Sequence, residues 1–157
     1  MSQEILFSPE GYEQLVRAIE GAKKKLEEIG QEKRELMGKD IWENGELRGL
    51  LEEEKKWVQE LANLEELLQR AKVADEPSDD RVGIGTKVRL EFFELEKEEG
   101  GQHIIEGIVD GYQITFEKGR ISYLSPIGKA IYGAKDGEER MVKLVQGRWR
   151  VRIKIIK

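Results

Sequence analysis

The sequence predicts an α+β protein: an N-terminal antiparallel coiled-coil hairpin, then a small antiparallel β-sheet domain with one short helix. Three observations predict it. Apolar residues recur twice at alternating steps of three and four, once on each side of residues 38–47. From Val82 onward the apolar period changes to two. Between these regimes lies ADEPSDD, residues 74–80, an acidic, polar stretch with Pro77. The expected organisation is therefore a coiled-coil domain over 1–75, a linker over 76–81 and a sheet domain over 82–157.

The first helix opens at FSPEGY. Ser8 suits the N-cap and Pro9 the first helical position. Phe7 and Tyr12 are spaced for a hydrophobic staple. Tyr12, Leu15, Ile19, Ala22, Leu26, Ile29 and Leu36 form the first seam, with Lys33 as its polar interruption. The second seam runs Leu47, Leu50, Trp57, Leu61, Leu64, Leu68, Ala71, with Glu54 as its break. Arms of about 30 residues make a rod of roughly 45 Å, a shape that presents its tip or zips to another coil.

In the second half, Val88, Leu90 and Phe92 alternate with polar residues, and Asp110-Gly111 carries a two-residue hairpin signal. Within SPIGKAIYG, Ser125 is a cap, Pro126 the first helical residue and Gly133 a stop. The last segment alternates Trp149, Val151, Ile153 and Ile155 against Arg148, Arg150, Arg152 and Lys154. That basic row is a solvated face, a charge-protected edge strand or a docking surface for an acidic partner.

Composition excludes several classes. The 157 residues contain no Cys and one His, His103, so neither a disulfide framework nor a multi-His metal site is available. His103 reads as a surface or turn residue at a strand start. A net charge of −5 argues against general nucleic-acid coating but allows a local basic patch. No apolar run is long enough for a membrane span, and a cytoplasmic location is expected.

The stretch GKDIWENGEL, 38–47, places Asp40, Trp42 and Glu43 at the hairpin tip. Asp40 and Glu43 have the spacing of a capping box, with Asn44 as an alternative cap. On spacing alone capping is the better reading; the functional alternative is a pair of oxygen ligands for Mg²⁺. Two carboxylates cannot complete an octahedral site, so a partner has to supply the rest.

Four stretches carry a family resemblance: FSPEGYEQL (7–15), DIWEN (40–44), AKVADE (71–76) and ISYLSPIGKAIYG (121–133). Over nearly the whole chain, and in order, they resemble the bacterial GreA/GreB transcript-cleavage factors; the last stretch is the most specific. The resemblance implies an FKBP-like C-terminal domain that docks on RNA polymerase at the mouth of its secondary channel. It implies that Ser125, Pro126 and Lys129 belong to the docking surface. It implies a coiled coil that enters the channel and a tip near the 3′ end of the nascent RNA. Asp40 and Glu43 would there help hold the second catalytic Mg²⁺, supported by Asn44, Trp42 and Lys39.

On that reading the chain is a monomer with no membrane partner and is not itself an enzyme. It activates the polymerase's own endonuclease, and the Mg²⁺ is shared with the polymerase rather than stably held by the isolated chain. The tip departs from the family pattern: Lys39 follows Gly38, Trp42 replaces a Ser, Thr or Lys, and Gly45 replaces Ala. The alternative is therefore a channel-occupying regulator that inhibits without stimulating cleavage. Lys23, Lys24, Lys25, Lys33, Arg34 and Lys39 are candidates for lining the RNA path, with Lys23–Lys25 better read as a solvated face. Prolyl isomerase activity follows only by fold analogy, which does not carry activity.

Overall fold

The computed structural model describes residues 3–37, 45–95, 103–111, 119–145 and 147–156. It divides into two compact units, one formed mainly by residues 13–70 and one by residues 4–12 together with 71–157.

In the first unit, helix α1 spans Pro9–Leu36 and continues out of the second unit, and helix α2 spans Gly45–Arg70. The seams face inward as their spacing predicts: Leu15, Ile19, Ala22 and Ile29 of α1 and Leu47 and Leu64 of α2 are buried. The helices are antiparallel. Lys33 meets Glu54, and at the other end Arg70 Nε donates to the Gln3 carbonyl at 2.9 Å.

The polar interruptions of the two seams prove to be partners. Lys33 Nζ lies 2.9 and 3.1 Å from the two Glu54 carboxylate oxygens, with both side chains about one-third exposed. Each break in one seam is thus answered by a break of opposite charge in the other, which specifies register. Lys25 pairs with Glu53 at 3.5 Å. Glu54→Ala and Lys33→Ala are each expected to cost up to about 1 kcal/mol, the upper range for a partly exposed ion pair, and the double mutant less than their sum, because both single changes remove the same interaction. A thermal-unfolding double-mutant cycle measures this; strict additivity would rule out the pairing.

The second unit holds two sheets. Strands β1 (Ile5–Phe7) and β2 (Ala71–Val73) pair in parallel, Leu6 opposite Lys72. The larger sheet contains β3 (Lys87–Glu94), β4 (His103–Asp110), β5 (Arg120–Ser122), β6 (Glu139–Leu144) and β7 (Gly147–Ile155), in the order β5-β4-β3-β7-β6. All its pairings are antiparallel except β4–β5. One short helix, α3 (Pro126–Ile131), packs with it. Inward-facing Val88, Leu90, Phe92, Val151 and Ile153 form the core with Val109 and Ile131, as the period of two dictates. Burying each such side chain contributes roughly 1.5–3 kcal/mol.

Three expectations change. Residues 71–73 are a strand rather than the end of the second helix, so the first boundary falls at Arg70 and not at 75. The linker expected over 76–81 is tied to the sheet unit: Arg81 bridges to Lys135, Pro77 lies against Gly83 and Gly85, and just before it Ala74 N donates to the Phe7 carbonyl. Asp110-Gly111 does not form a type I′ turn: Asp110 is the last residue of β4, paired with Ser122, and neither residue has a positive φ, while the strand expected directly after it, 112–116, lies outside the described residues.

Asp110 instead closes the start of α1. Ser8 caps α1 by accepting from the Gly11 N–H at 2.9 Å, while its own hydroxyl donates to Asp110 Oδ2. Asp110 Oδ1 accepts from the Ser8 and Gly111 N–H groups at 3.0 and 2.8 Å, and Arg120 pairs with Oδ2. In a capping box a carboxylate three residues into the helix takes the cap residue's N–H. Here that position is Gly11, where a Cβ would overlap the Asp110 carboxylate. A carboxylate from the sheet does the capping-box work, and glycine makes room for it. Gly111 is equally constrained, since a Cβ there would overlap the Leu6 carbonyl.

Candidate functional site

Two places carry the residues singled out by sequence: the hairpin tip and the surface around α3. The tip residues Lys39, Asp40, Trp42, Glu43 and Asn44 lie outside the described residues. Helix α2 begins at Gly45, directly after Asn44. Among the described residues no group of three or more His, Asp or Glu side chains is placed to hold a metal ion. The donor chemistry of Asp40 and Glu43, two hard carboxylates, suits Mg²⁺ as two ligands of a site completed elsewhere.

The α3 region is built as the sequence predicts. Ser125 is extended at the cap, its hydroxyl accepts from the Gly128 N–H at 3.0 Å, and Pro126 opens the helix. The same hydroxyl donates to the Ser122 carbonyl at 2.6 Å. Tyr132 ends the helix, and Gly133 follows with φ +79°. Arg140 crosses from β6 to donate to the carbonyls of Ala130 and Tyr132 at 3.1 and 2.9 Å, completing the C-terminal cap with a positive charge. Gly128 is required by close approach: a Cβ would overlap the Ser122 carbonyl. Gly128→Ala is expected to cost about 1–3 kcal/mol in chemical denaturation. A neutral result would mean that the turn before α3 yields freely.

Of the three docking candidates, Pro126 and Lys129 are exposed, whereas the Ser125 hydroxyl is committed to the cap. Ser125 thus positions this surface. Exposed Leu124 and Tyr132 flank the helix, and Tyr132 packs near Tyr123. Beside α3 opens an apolar depression of about 160 Å³, lined by Phe92, His103, Ile105, Ile127, Leu144 and Trp149. His103 is exposed at the start of β4, as expected, with its ring 5.7 Å from that of Trp149. Leu124, Tyr132 and the depression escaped the sequence reading, because isolated apolar residues beside a capped helix carry no periodic signal.

Of the candidates for an RNA path, Lys25 and Lys33 are held in the interhelical ion pairs, and Lys23, Lys24 and Arg34 are exposed. No described helix is long and apolar enough to cross a membrane.

Comparison with known proteins fits this architecture. The family described as transcription elongation factor GreA/GreB, C-terminal, matches residues 76–157. The transcription elongation factor GreA of Nitratiruptor sp. is 32% identical over 151 residues, covering 94% of this chain and 89% of the relative. The transcription inhibitor protein Gfh1 of Thermus thermophilus is 27% identical over 156 residues, covering 98% and 97%. A solved structure of the transcription factor Gfh1 aligns over 100% of both chains at 26% identity, with a TM-score of 0.48. The chain belongs to the GreA/GreB family of transcription elongation factors.

Proposed function

We propose that this chain binds RNA polymerase, inserts its helical hairpin into the secondary channel and stimulates cleavage of backtracked RNA. The observation that carries the reading is the DIWEN stretch, which puts two carboxylates three residues apart between the arms of an antiparallel hairpin. Such a tip brings acids to a distant centre without building a site of its own. Asp40 and Glu43 would there help hold Mg²⁺, which, when bound, would supply activation of the attacking water and offset charge on the phosphoryl oxygens. In this division of labour Asp40 and Glu43 orient the shared ion, and Asn44, Trp42 and Lys39 support them. The polymerase supplies the remaining ligands and the reaction. The sheet domain docks through Pro126 and Lys129 on the α3 surface that Ser125 and Arg140 hold in shape. The chain acts as a monomer in the cytoplasm.

A second reading has its own support. Similarity to a transcription inhibitor extends over 98% of the chain, and a hairpin that fills the channel without a working tip would inhibit. Adding the chain to a backtracked elongation complex with the cognate polymerase and Mg²⁺ separates the two. Faster shortening of the RNA 3′ end supports cleavage stimulation; binding that slows or ignores shortening supports the inhibitor.

A further inference from the structure

The outward basic row of β7 is not an edge. Strand β7 lies between β3 and β6, so the row runs down the interior of the sheet's outer face. Arg148, Arg150, Arg152 and Lys154 are all exposed and, at two residues apart, recur about every 7 Å. The neighbouring strands extend the charge, with Arg89 opposite Lys154 and Lys143 opposite Arg148. Like charges directly opposite each other destabilise a sheet, so this pairing asks for an external counter-charge.

The acids on this face neutralise only part of it. Glu139 takes Arg152 at 2.9 Å and Arg150 at 3.6 Å, Glu91 lies 4.0 Å from Arg152, and Glu106 is 3.8 Å from Arg89. Among the described residues Lys143, Arg148 and Lys154 form no ion pair within 4.0 Å, although Asp136 and Glu106 line the same depression as Lys154 and Arg89. The patch is thus net positive on a chain whose net charge is −5.

Apolar groups stand beside the cations. The guanidinium carbons of Arg150 and Arg152 lie 5.3 and 5.6 Å from the centre of the Phe93 ring. Met141, 56% exposed, sits opposite Arg150 on the other side. A regular row of cations with a half-exposed ring, two guanidinium planes on it and an exposed thioether alongside is what a single-stranded nucleic acid requires: charge for the phosphates, planes and apolar contact for the bases. An acidic polypeptide would use the charge and leave Phe93 and Met141 uncovered.

We infer that the outer face of the five-stranded sheet binds single-stranded nucleic acid, with its phosphates along Arg148–Lys154 and bases against Phe93 and Met141. The inference is independent of the function proposed above, and no polymerase enters its test. The full-length chain is titrated into fluorescein-labelled oligo(dT), and polarisation is followed over a range of salt concentrations. Arg148→Ala/Lys154→Ala removes two cations that form none of these ion pairs and leaves the inward face untouched. It is expected to weaken binding roughly tenfold or more and to reduce the slope of log K against log salt by about 1.4, the loss of two phosphate contacts. Lys55→Ala/Lys56→Ala, exposed on α2 and distant in sequence from the patch, is expected to leave binding unchanged. Unlabelled poly-glutamate is expected to compete poorly. No binding by the wild-type chain, loss through the α2 pair instead, or equal competition by poly-glutamate would each overturn the inference, the last in favour of an acidic polypeptide.

Discussion

Asp110→Ala is expected to destabilise the protein by about 3–5 kcal/mol, the cost of removing one partner from a buried ion pair. The carboxylate is 1% exposed and the Arg120 side chain 9%. Its removal strands the Arg120 charge, the Ser8 N–H and hydroxyl, and the Gly111 N–H together. Glu10, 3.4 Å from Arg120, is 75% exposed and cannot replace it. The cap at the start of α1 loosens as well, because the Ser8 hydroxyl that accepts from Gly11 is held in place by Asp110. Urea unfolding of the purified variant measures the effect. Asp110→Asn keeps the shape and one acceptor oxygen, enough for the Ser8 and Gly111 N–H groups, but sets an amide NH₂ against Arg120 and loses the charge; it should lose less than alanine. A loss below about 1 kcal/mol for the alanine variant would mean that the network is incidental.

Asp40→Ala/Glu43→Ala is expected to reduce stimulation of transcript cleavage by roughly tenfold to a hundredfold or more, the range seen when groups orienting a catalytic metal are removed. Polymerase affinity should be retained, because the proposed docking residues lie around α3, on the other compact unit. If the acids only cap α2, the variant should instead lose about 1 kcal/mol of stability and keep its activity. Unfolding and cleavage measured on the same preparation therefore separate the two roles of one pair.

Most of the architecture was legible because it is periodic or capped. The two seams predicted α1 and α2, and the alternation in VRLEFF and RWRVRIKIIK predicted β3 and β7. Ser125-Pro126 and Gly133 bounded α3 closely. The features that escaped lack period and depend on distant partners. Strands β1 and β2 are three residues each, too short to alternate, and pair across 66 positions, Ile5 with Ala71. Asp110-Gly111 satisfies a local turn rule, but Asp110 is taken by Ser8, 102 residues away in sequence. Gly11 carries no signal of its own in the sequence and is the opening through which that carboxylate reaches the cap. The pairing of Lys33 with Glu54 was half visible, as two isolated breaks whose opposite charges make sense only once the arms are antiparallel. The acids at the tip were legible as residue types, and their geometry lies outside the described residues.

The most direct test of the central claim is the rate of RNA 3′-end cleavage in a stalled, backtracked elongation complex at fixed Mg²⁺. The wild-type chain and Asp40→Ala/Glu43→Ala are compared side by side at concentrations where both are bound. The account predicts acceleration by the wild type and, by the double variant, acceleration weaker by roughly tenfold to a hundredfold or more. Equal slowing by both would contradict it and identify the chain as an inhibitor that works by filling the channel.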